Sequence, residues 1–297
     1  MRVGILLNSG LIGDAMTAHR QEPHTLVIEP RSSFHLLDLR ELAEYRDLLF
    51  YLTWREIAVR YKQSVLGYVW AFLQPLTKVL VYTVIFGVLL NVPSGGVPYP
   101  LFALAGIIAW TYFTSGMQQG ADSLVAQQAV ITKVYFPRIL VPLTPCLAFL
   151  VDFAIALGLT LVATLVWTHR LHPAIVWLPF WILLMVLTTI GAALLFSALN
   201  VRYRDVRQGM SLVLQLGMYV TPIVWPLSEL QHKAPRWYWL IGINPLASVA
   251  QGFRQSLLGQ DPVPVRMLVT SIVATAVLLF VGLWYFHRTE DAVADIV

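Results

Sequence analysis

Long apolar runs separated by short polar stretches set the pattern of this chain. They cover residues 68–90, 99–117, 139–168, 174–199, 209–225 and 267–286. About 20 apolar residues suffice to cross a bilayer as a helix. The runs are continuous and do not alternate, which excludes a β-barrel. The pattern predicts an all-α integral membrane protein with six transmembrane helices, the first kinked at Pro75. Two further elements are predicted outside these runs. Leu42, Tyr45, Leu49 and Leu52 recur opposite Glu41, Glu44, Arg46 and Asp47. That spacing predicts an N-terminal interfacial amphipathic helix over 34–64, lying along the inner membrane surface. Residues 228–266 are too interrupted to span and too aromatic to be solvated, and Asn244-Pro245 breaks them. They predict an outer re-entrant helical hairpin before the last span, whose irregular backbone needs protein or a wet cavity around it. The domain division is then a cytosolic tail over 1–33, the interfacial helix over 34–64 and the transmembrane domain over 65–297.

Composition agrees with the pattern. The chain is 58% hydrophobic and 12% charged, against about 45–50% and about 25% in soluble domains. A net charge of +4 raises the question of nucleic acid, but the cations collect at the ends of apolar runs, so none is expected as a partner. Membrane lipid and orientation account for them. With both termini inside, six of the 20 Lys and Arg residues lie elsewhere (Lys78, Arg170, Lys233, Arg236, Arg254, Arg266), leaving 14 on the cytoplasmic side. Short loops rich in these residues stay inside, which predicts a multi-pass inner-membrane protein with both ends cytoplasmic. The single Cys146 allows no internal disulfide.

No energy source is legible in the chain. It has no G-x-x-x-x-G-K-[ST] phosphate loop, no H-E-x-x-H, no C-x-x-C and no G-x-S-x-G. No catalytic residue, metal site or cofactor is expected, and the chain is not read as an enzyme. Uphill transport would draw on a partner. The polar island between the second and third runs is the natural place for that partner to grip. It carries Asp122, Gln127 and Gln128, then Lys133, Tyr135, Phe136 and Arg138. Ahead of the first run, Arg55, Arg60 and Lys62 form a basic collar, suited to lipid headgroups or to a substrate phosphate. Ionisable residues inside spans are costly and often functional. Lys78 and Asp152 lie at comparable depths, which raises the hypothesis that they pair; the alternative is a snorkelling Lys78 with Asp152 facing water or a hydroxyl. Aromatic residues at span ends suit an interfacial belt. Trp110, Tyr112, Phe113 and Tyr219 are also candidates for lining a channel, since sugar rings stack on aromatic faces.

Eight short stretches then stand in order: Tyr45-Arg46-Asp47-Leu48-Leu49, Trp54-Arg55-Glu56-Ile57, Arg60-Tyr61-Lys62-Gln63, Leu66-Gly67-Tyr68-Val69-Trp70, Gln74-Pro75-Leu76, 132–138, Tyr203-Arg204-Asp205-Val206 and Asn244-Pro245-Leu246. Together they resemble the membrane subunit of ABC-type polysaccharide and polyol-phosphate exporters, the group of O-antigen and teichoic-acid permeases. The resemblance runs from residue 34 to the C-terminus. It implies a homodimer docked on separate ABC ATPase subunits, which would bind ATP and Mg2+, with the loop over 122–138 fitting the ATPase. It implies that the helix over 39–62 borders the access path of a polyprenyl-diphosphate-linked glycan, and that 237–258 closes the outer mouth, with Trp237, Trp239, Asn244, Pro245 and Phe253 as gate residues. Electrostatics would place the diphosphate near Arg55, Arg60 or Lys62. Lys78 stands where the family is expected to have an apolar residue. The function expected is the permease subunit of an ATP-driven exporter of lipid-linked polysaccharide. The rivals are the same architecture with drug, lipid or haem as cargo, and a membrane glycosyltransferase or ligase.

Overall fold

The computed structural model describes residues 43–62, 69–131, 136–169, 171–203, 205–233 and 235–296. The tail over 1–33, Lys133 and Tyr135 lie outside the described residues. All regular structure among the described residues is helical. In chain order the helices are α1 (Arg46–Lys62), α2 (Val69–Tyr82, continued by a π-helical stretch Thr83–Leu89), α3 (Tyr99–Ala126), α4 (Gln128–Ile131), α5 (Leu140–Thr168), α6 (Leu178–Arg202), α7 (Val206–Val220), α8 (Leu227–Lys233), α9 (Pro245–Leu258) and α10 (Val265–Ile296). Short 3-10 turns at Pro173–Trp177 and Tyr238–Ile243 lead into α6 and towards α9.

Five segments are long and apolar enough to cross a membrane: Phe72–Leu89, Tyr99–Ala126, Leu140–Thr168, Pro173–Arg202 and Val265–Thr289. They coincide with five of the six apolar runs. The remaining run differs because its helix, α7, ends at Val220 after 15 residues. At a rise of 1.5 Å per residue that is about 22 Å, short of a hydrocarbon core of about 30 Å. Pro222 explains the stop, since a proline disfavours helical geometry in the residue before it. Thr221 is accordingly extended, with ψ of 139°.

α3 is the axis of the bundle. Its residues 101–110 are all buried, and it packs against α5, α6 and α9. The main core joins Phe102, Ile107, Trp110, Met185, Phe253 and Met267. α9, the long arm of the expected outer hairpin, sits within that core, with Leu246 to Leu257 almost wholly buried. α1 departs from a simple two-faced helix. Its expected apolar side does meet protein, with Leu52 buried and Tyr45, Leu48 and Leu49 against the cluster formed by Phe136, Leu140, Leu194 and Phe286. The opposite side, however, exposes Phe50, Tyr51 and Trp54 beside Arg46 and Arg55.

Candidate functional site

A cleft of about 420 Å³ opens among α1, α2, α3 and α5. Helical periodicity assembles its walls. α3 contributes Ile108, Thr111, Tyr112 and Ser115, and α5 contributes Phe149, Asp152, Phe153 and Ala156, each set spaced i, i+3, i+4, i+7. α2 adds Trp70, Gln74 and Pro75; the end of α1 adds Arg60 and Tyr61. The result is an aromatic enclosure with a charged pair at one end.

That pair is Arg60 and Asp152. Arg60 Nη1 donates to Asp152 Oδ2 at 2.6 Å, and the Tyr61 hydroxyl donates to Asp152 Oδ1. The guanidinium also donates to Gln119 Oε1 at 3.1 Å, lies 3.8 Å from a Glu56 carboxylate oxygen and stacks 3.7 Å above the Phe149 ring. The Lys78–Asp152 pair raised as a hypothesis does not form: Lys78 Nζ donates instead to Thr111 Oγ1 at 3.1 Å. The reason is that depth along the spans ignored α1, whose last turn delivers a planar fork of donors to α5. A carboxylate that accepts from a guanidinium and a phenol on adjacent residues has no need of a distant ammonium. Of the basic collar, Arg60 is therefore committed within the protein, while Arg55 and Lys62 are exposed. The pair is about one-quarter exposed. A double-mutant cycle with Asp152→Ala and Arg60→Ala is expected to give a coupling of roughly 1–2 kcal/mol in detergent unfolding. A coupling near zero would remove this pair from the account.

The described part of the polar island is a ledge built on helix ends. α3 continues nine residues beyond the run that ends at Met117, so Asp122 and Ser123 are helical. Asp122 accepts from Asn200 Nδ2 at 2.9 Å and pairs with Arg207 Nη2 at 3.2 Å, joining the island to the last turn of α6 and the first turn of α7. Gln127 ends α3, its backbone N–H donating to Ser123, and Gln128 begins the short α4. Phe136 is buried against Leu124, Leu140 and Phe286. Arg138 is half-buried at the entrance to α5, its carbonyl accepting from Val141. The Asp122–Asn200–Arg207 link is invisible in sequence except as an asparagine closing an apolar run.

The candidate channel aromatics divide. Trp110 and Tyr112 are buried inside the protomer rather than at a belt; Tyr112 lines the cleft and donates to the Cys146 carbonyl at 3.0 Å. Phe113 is half-buried, its ring 5.7 Å from Trp110, and Tyr219 is exposed.

The candidate gate residues divide as well. Trp237 is exposed, and the half-buried Trp239 donates its indole N–H to the Arg236 carbonyl. Asn244 caps α9, accepting from the Leu246 N–H at 3.1 Å and donating to Thr221 Oγ1 at 2.7 Å, with Pro245 in the first turn where a proline fits. Phe253 is fully buried, its ring 5.9 Å from Phe153.

Sequence reasoning passed over Arg254, which proves central. It is 0% exposed and has no carboxylate partner among the described residues. Its guanidinium donates to the carbonyls of Pro222 and Ile223 at 2.8 and 2.5 Å, and to Phe102 at 3.3 Å, and stacks 3.6 Å over the Phe102 ring. The Tyr99 hydroxyl donates to the Val224 carbonyl at 2.6 Å. The unwound backbone after α7 is thus satisfied by side chains from α3 and α9, as buried non-helical backbone requires. Gly106 makes the approach possible, because a Cβ there would stand 3.0 Å from Arg254 Nη2. Burial lowers the Arg254 pKa to about 9, so the group stays charged at pH 7.

With this geometry in view, comparison with known proteins is decisive on family. The ABC-2 type transporter family model matches residues 47–258, from α1 through α9. This chain belongs to the ABC-2 type transporter family. The O-antigen export system permease protein RfbA of Myxococcus xanthus is 30% identical over 260 residues, covering 86% of this chain and 98% of that one. The protein of the same name from Klebsiella pneumoniae is 29% identical over 253 residues, covering 84% and 95%. The polysialic acid transport protein KpsM of Escherichia coli is 25% identical over 256 residues, covering 80% and 92%. The family match takes in both the cleft and the ledge, while α10 lies beyond it.

Proposed function

We propose that this chain is the permease subunit of an ATP-driven exporter that carries a lipid-linked polysaccharide, of O-antigen, capsule or teichoic-acid type, across the inner membrane. The observation that carries the reading is the near end-to-end similarity to permeases named for O-antigen export and polysialic acid transport. The sequence holds no G-x-x-x-x-G-K-[ST] phosphate loop, and in this reading a separate ABC ATPase subunit binds ATP and Mg2+. That subunit docks on the ledge over 122–138. Buried Phe136 and the Asp122–Arg207 link support this role, because they tie the described ends of the ledge to α6, α7 and α10.

Six crossings with both termini cytoplasmic fit the distribution of basic residues. The sixth would consist of α7 together with 221–226, whose carbonyls Arg254 and Tyr99 already satisfy within protein. α1 lies at the membrane surface, with Phe50, Tyr51 and Trp54 turned to lipid and Arg55 and Lys62 free to meet a polyprenyl diphosphate. α8 and α9 form the outer hairpin. A homodimer would cover some of the exposed apolar side chains of α2 and α7, such as Leu80, Val88, Leu216 and Val220, and membrane lipid the rest.

The test is co-expression of the tagged chain with the ABC ATPase encoded beside it. Recovery of both in one peak with ATP hydrolysis, and cytoplasmic accumulation of lipid-linked glycan in a deletion strain, are the expected results. A chain that purifies alone and leaves glycan export intact when deleted would sink the proposal.

A further inference from the structure

The unassigned feature that the observations carry furthest is Lys78. Among the described residues it is a cation inside a span without an acidic partner. Its hydrogen-bond partner is a neutral hydroxyl, Thr111 Oγ1, and none of the ion pairs formed by the described residues includes it. The acid at similar depth, Asp152, is held by Arg60 and Tyr61. An ammonium roughly 14 Å along α2 from Val69 stands deep in the hydrocarbon. Such a charge is retained where it meets water, a carboxylate or a ligand. Snorkelling does not describe its geometry, because Nζ is turned inward to α3.

Its position gives the missing partner a place. Thr111 lines the cleft, and so does Gln74, one helical turn before Lys78 on α2. Lys78 itself is not a lining residue; its ammonium stands behind the wall, bonded to the lining residue Thr111, while Arg60 lines the cleft directly. Asp152 neutralises Arg60, which leaves Lys78, one hydroxyl away from the cleft, as a cation without a carboxylate among the described residues. The lining includes the rings of Trp70, Tyr112, Phe149 and Phe153, with Gln74 and Ser115 as polar groups. A volume of about 420 Å³ falls in the lower part of the range of small-ligand pockets, about 300–1,000 Å³. Ring faces suit the C–H face of a sugar, amide and hydroxyl groups suit its hydroxyls, and an ammonium suits an anion.

We infer that this cleft is a binding site for an anionic, sugar-bearing segment of the cargo, with Lys78 holding its carboxylate or phosphate. The inference rests on the reading of the chain as a glycan exporter and adds that the glycan or its carrier presents its negative charge here. The anion has two sources, an acidic sugar within the glycan or the phosphates of the carrier, and the two require different probes.

The test uses the full permease–ATPase complex in lipid nanodiscs, titrated by calorimetry with three probes. These are a glucuronate-containing tetrasaccharide, farnesyl diphosphate and the neutral maltotetraose. One of the anionic probes is expected to bind more tightly than maltotetraose. Lys78→Met should weaken that probe by roughly tenfold to a hundredfold, the loss of one charged hydrogen-bond partner, with no effect on maltotetraose. Lys78→Arg should retain most of the binding, and Thr111→Val, which leaves the charge in place, should weaken it severalfold. Preference for glucuronate assigns the site to the glycan, preference for farnesyl diphosphate to the carrier. Equal binding of anionic and neutral probes, or Lys78→Met binding like the wild type, overturns the site. Failure to associate with any ATPase instead overturns the functional reading on which it rests. The elution volume of each variant complex separates lost binding from lost assembly.

Discussion

Replacing Arg254 with alanine is expected to abolish the folded protein in detergent extracts, through a loss of at least about 4 kcal/mol. Three carbonyls, those of Phe102, Pro222 and Ile223, would lose a charged donor inside the protein, at about 1–3 kcal/mol for each buried group left unsatisfied. Truncation would also open a cavity, worth roughly 2–5 kcal/mol for large side chains. Against a net stability of about 5–15 kcal/mol, that is decisive. Arg254→Met separates the contributions, since it refills the volume but leaves the carbonyls orphaned. Arg254→Lys keeps the charge but cannot present a planar fork to diverging oxygens, so it should fall between the two. Size-exclusion chromatography after a heat ramp measures all three. Arg207→Ala is the control, because its pair with Asp122 leaves the Arg207 side chain 71% exposed, and such pairs contribute about 1 kcal/mol or less. An Arg254→Ala protein that melts with the wild type would show that the break after α7 is held by something else.

The second large effect is expected at Gly282. α6 and α10 cross there so closely that a Cβ on Gly282 would stand 2.4 Å from the Gly191 carbonyl oxygen, and one on Gly191 would stand 2.9 Å from the Leu279 backbone. The obstacle is backbone in both cases, so no rotamer change relieves it. Membrane helices that approach this closely rely on small residues, because packing, not exclusion of water, drives their association. Gly282→Ala should cost about 1–3 kcal/mol by overpacking. Gly282→Leu should separate the helices and withdraw Leu283 and Phe286 from the cluster that holds Phe136. The readout is a lowered melting temperature together with reduced ATPase co-purification. Gly158→Ala is the matched control, since open space surrounds its Cβ position, and it should be neutral or slightly stabilising. Wild-type behaviour of Gly282→Leu would mean that the α6–α10 crossing does not support the ledge.

How much of the site was legible depends on the reach of each signal. Asn244-Pro245 reads as a break in the segment, and the structure makes that break the start of α9, because capping is a local event settled within three residues. The basic and acidic residues of the island are equally visible, but their partners are not. Asn200 lies 78 positions from Asp122, and Arg60 lies 92 from Asp152. Apolar periodicity carries no information on which helix another will meet. Depth alone raised a Lys78–Asp152 pair as one of two readings, and the pair does not form because a third element, α1, reaches Asp152. Arg254 was overlooked for a related reason. A basic residue in a polar outer segment resembles a solvated one until the unwound carbonyls after α7 are seen around it.

By itself, then, the sequence determined the medium of this protein and the approximate limits of its long helices. Both follow from short-range physics, since a backbone crossing hydrocarbon must satisfy its own hydrogen bonds over some 20 apolar residues whatever its neighbours are. Only the tertiary structure decided where α7 stops, that α9 lies inside the core, and which charges are matched. Those outcomes turn on contacts between residues far apart in the chain: Arg254 with Ile223, Gly282 with Gly191, Arg60 with Asp152. Helix packing alone brings such residues together, and it leaves no periodic trace in the chain.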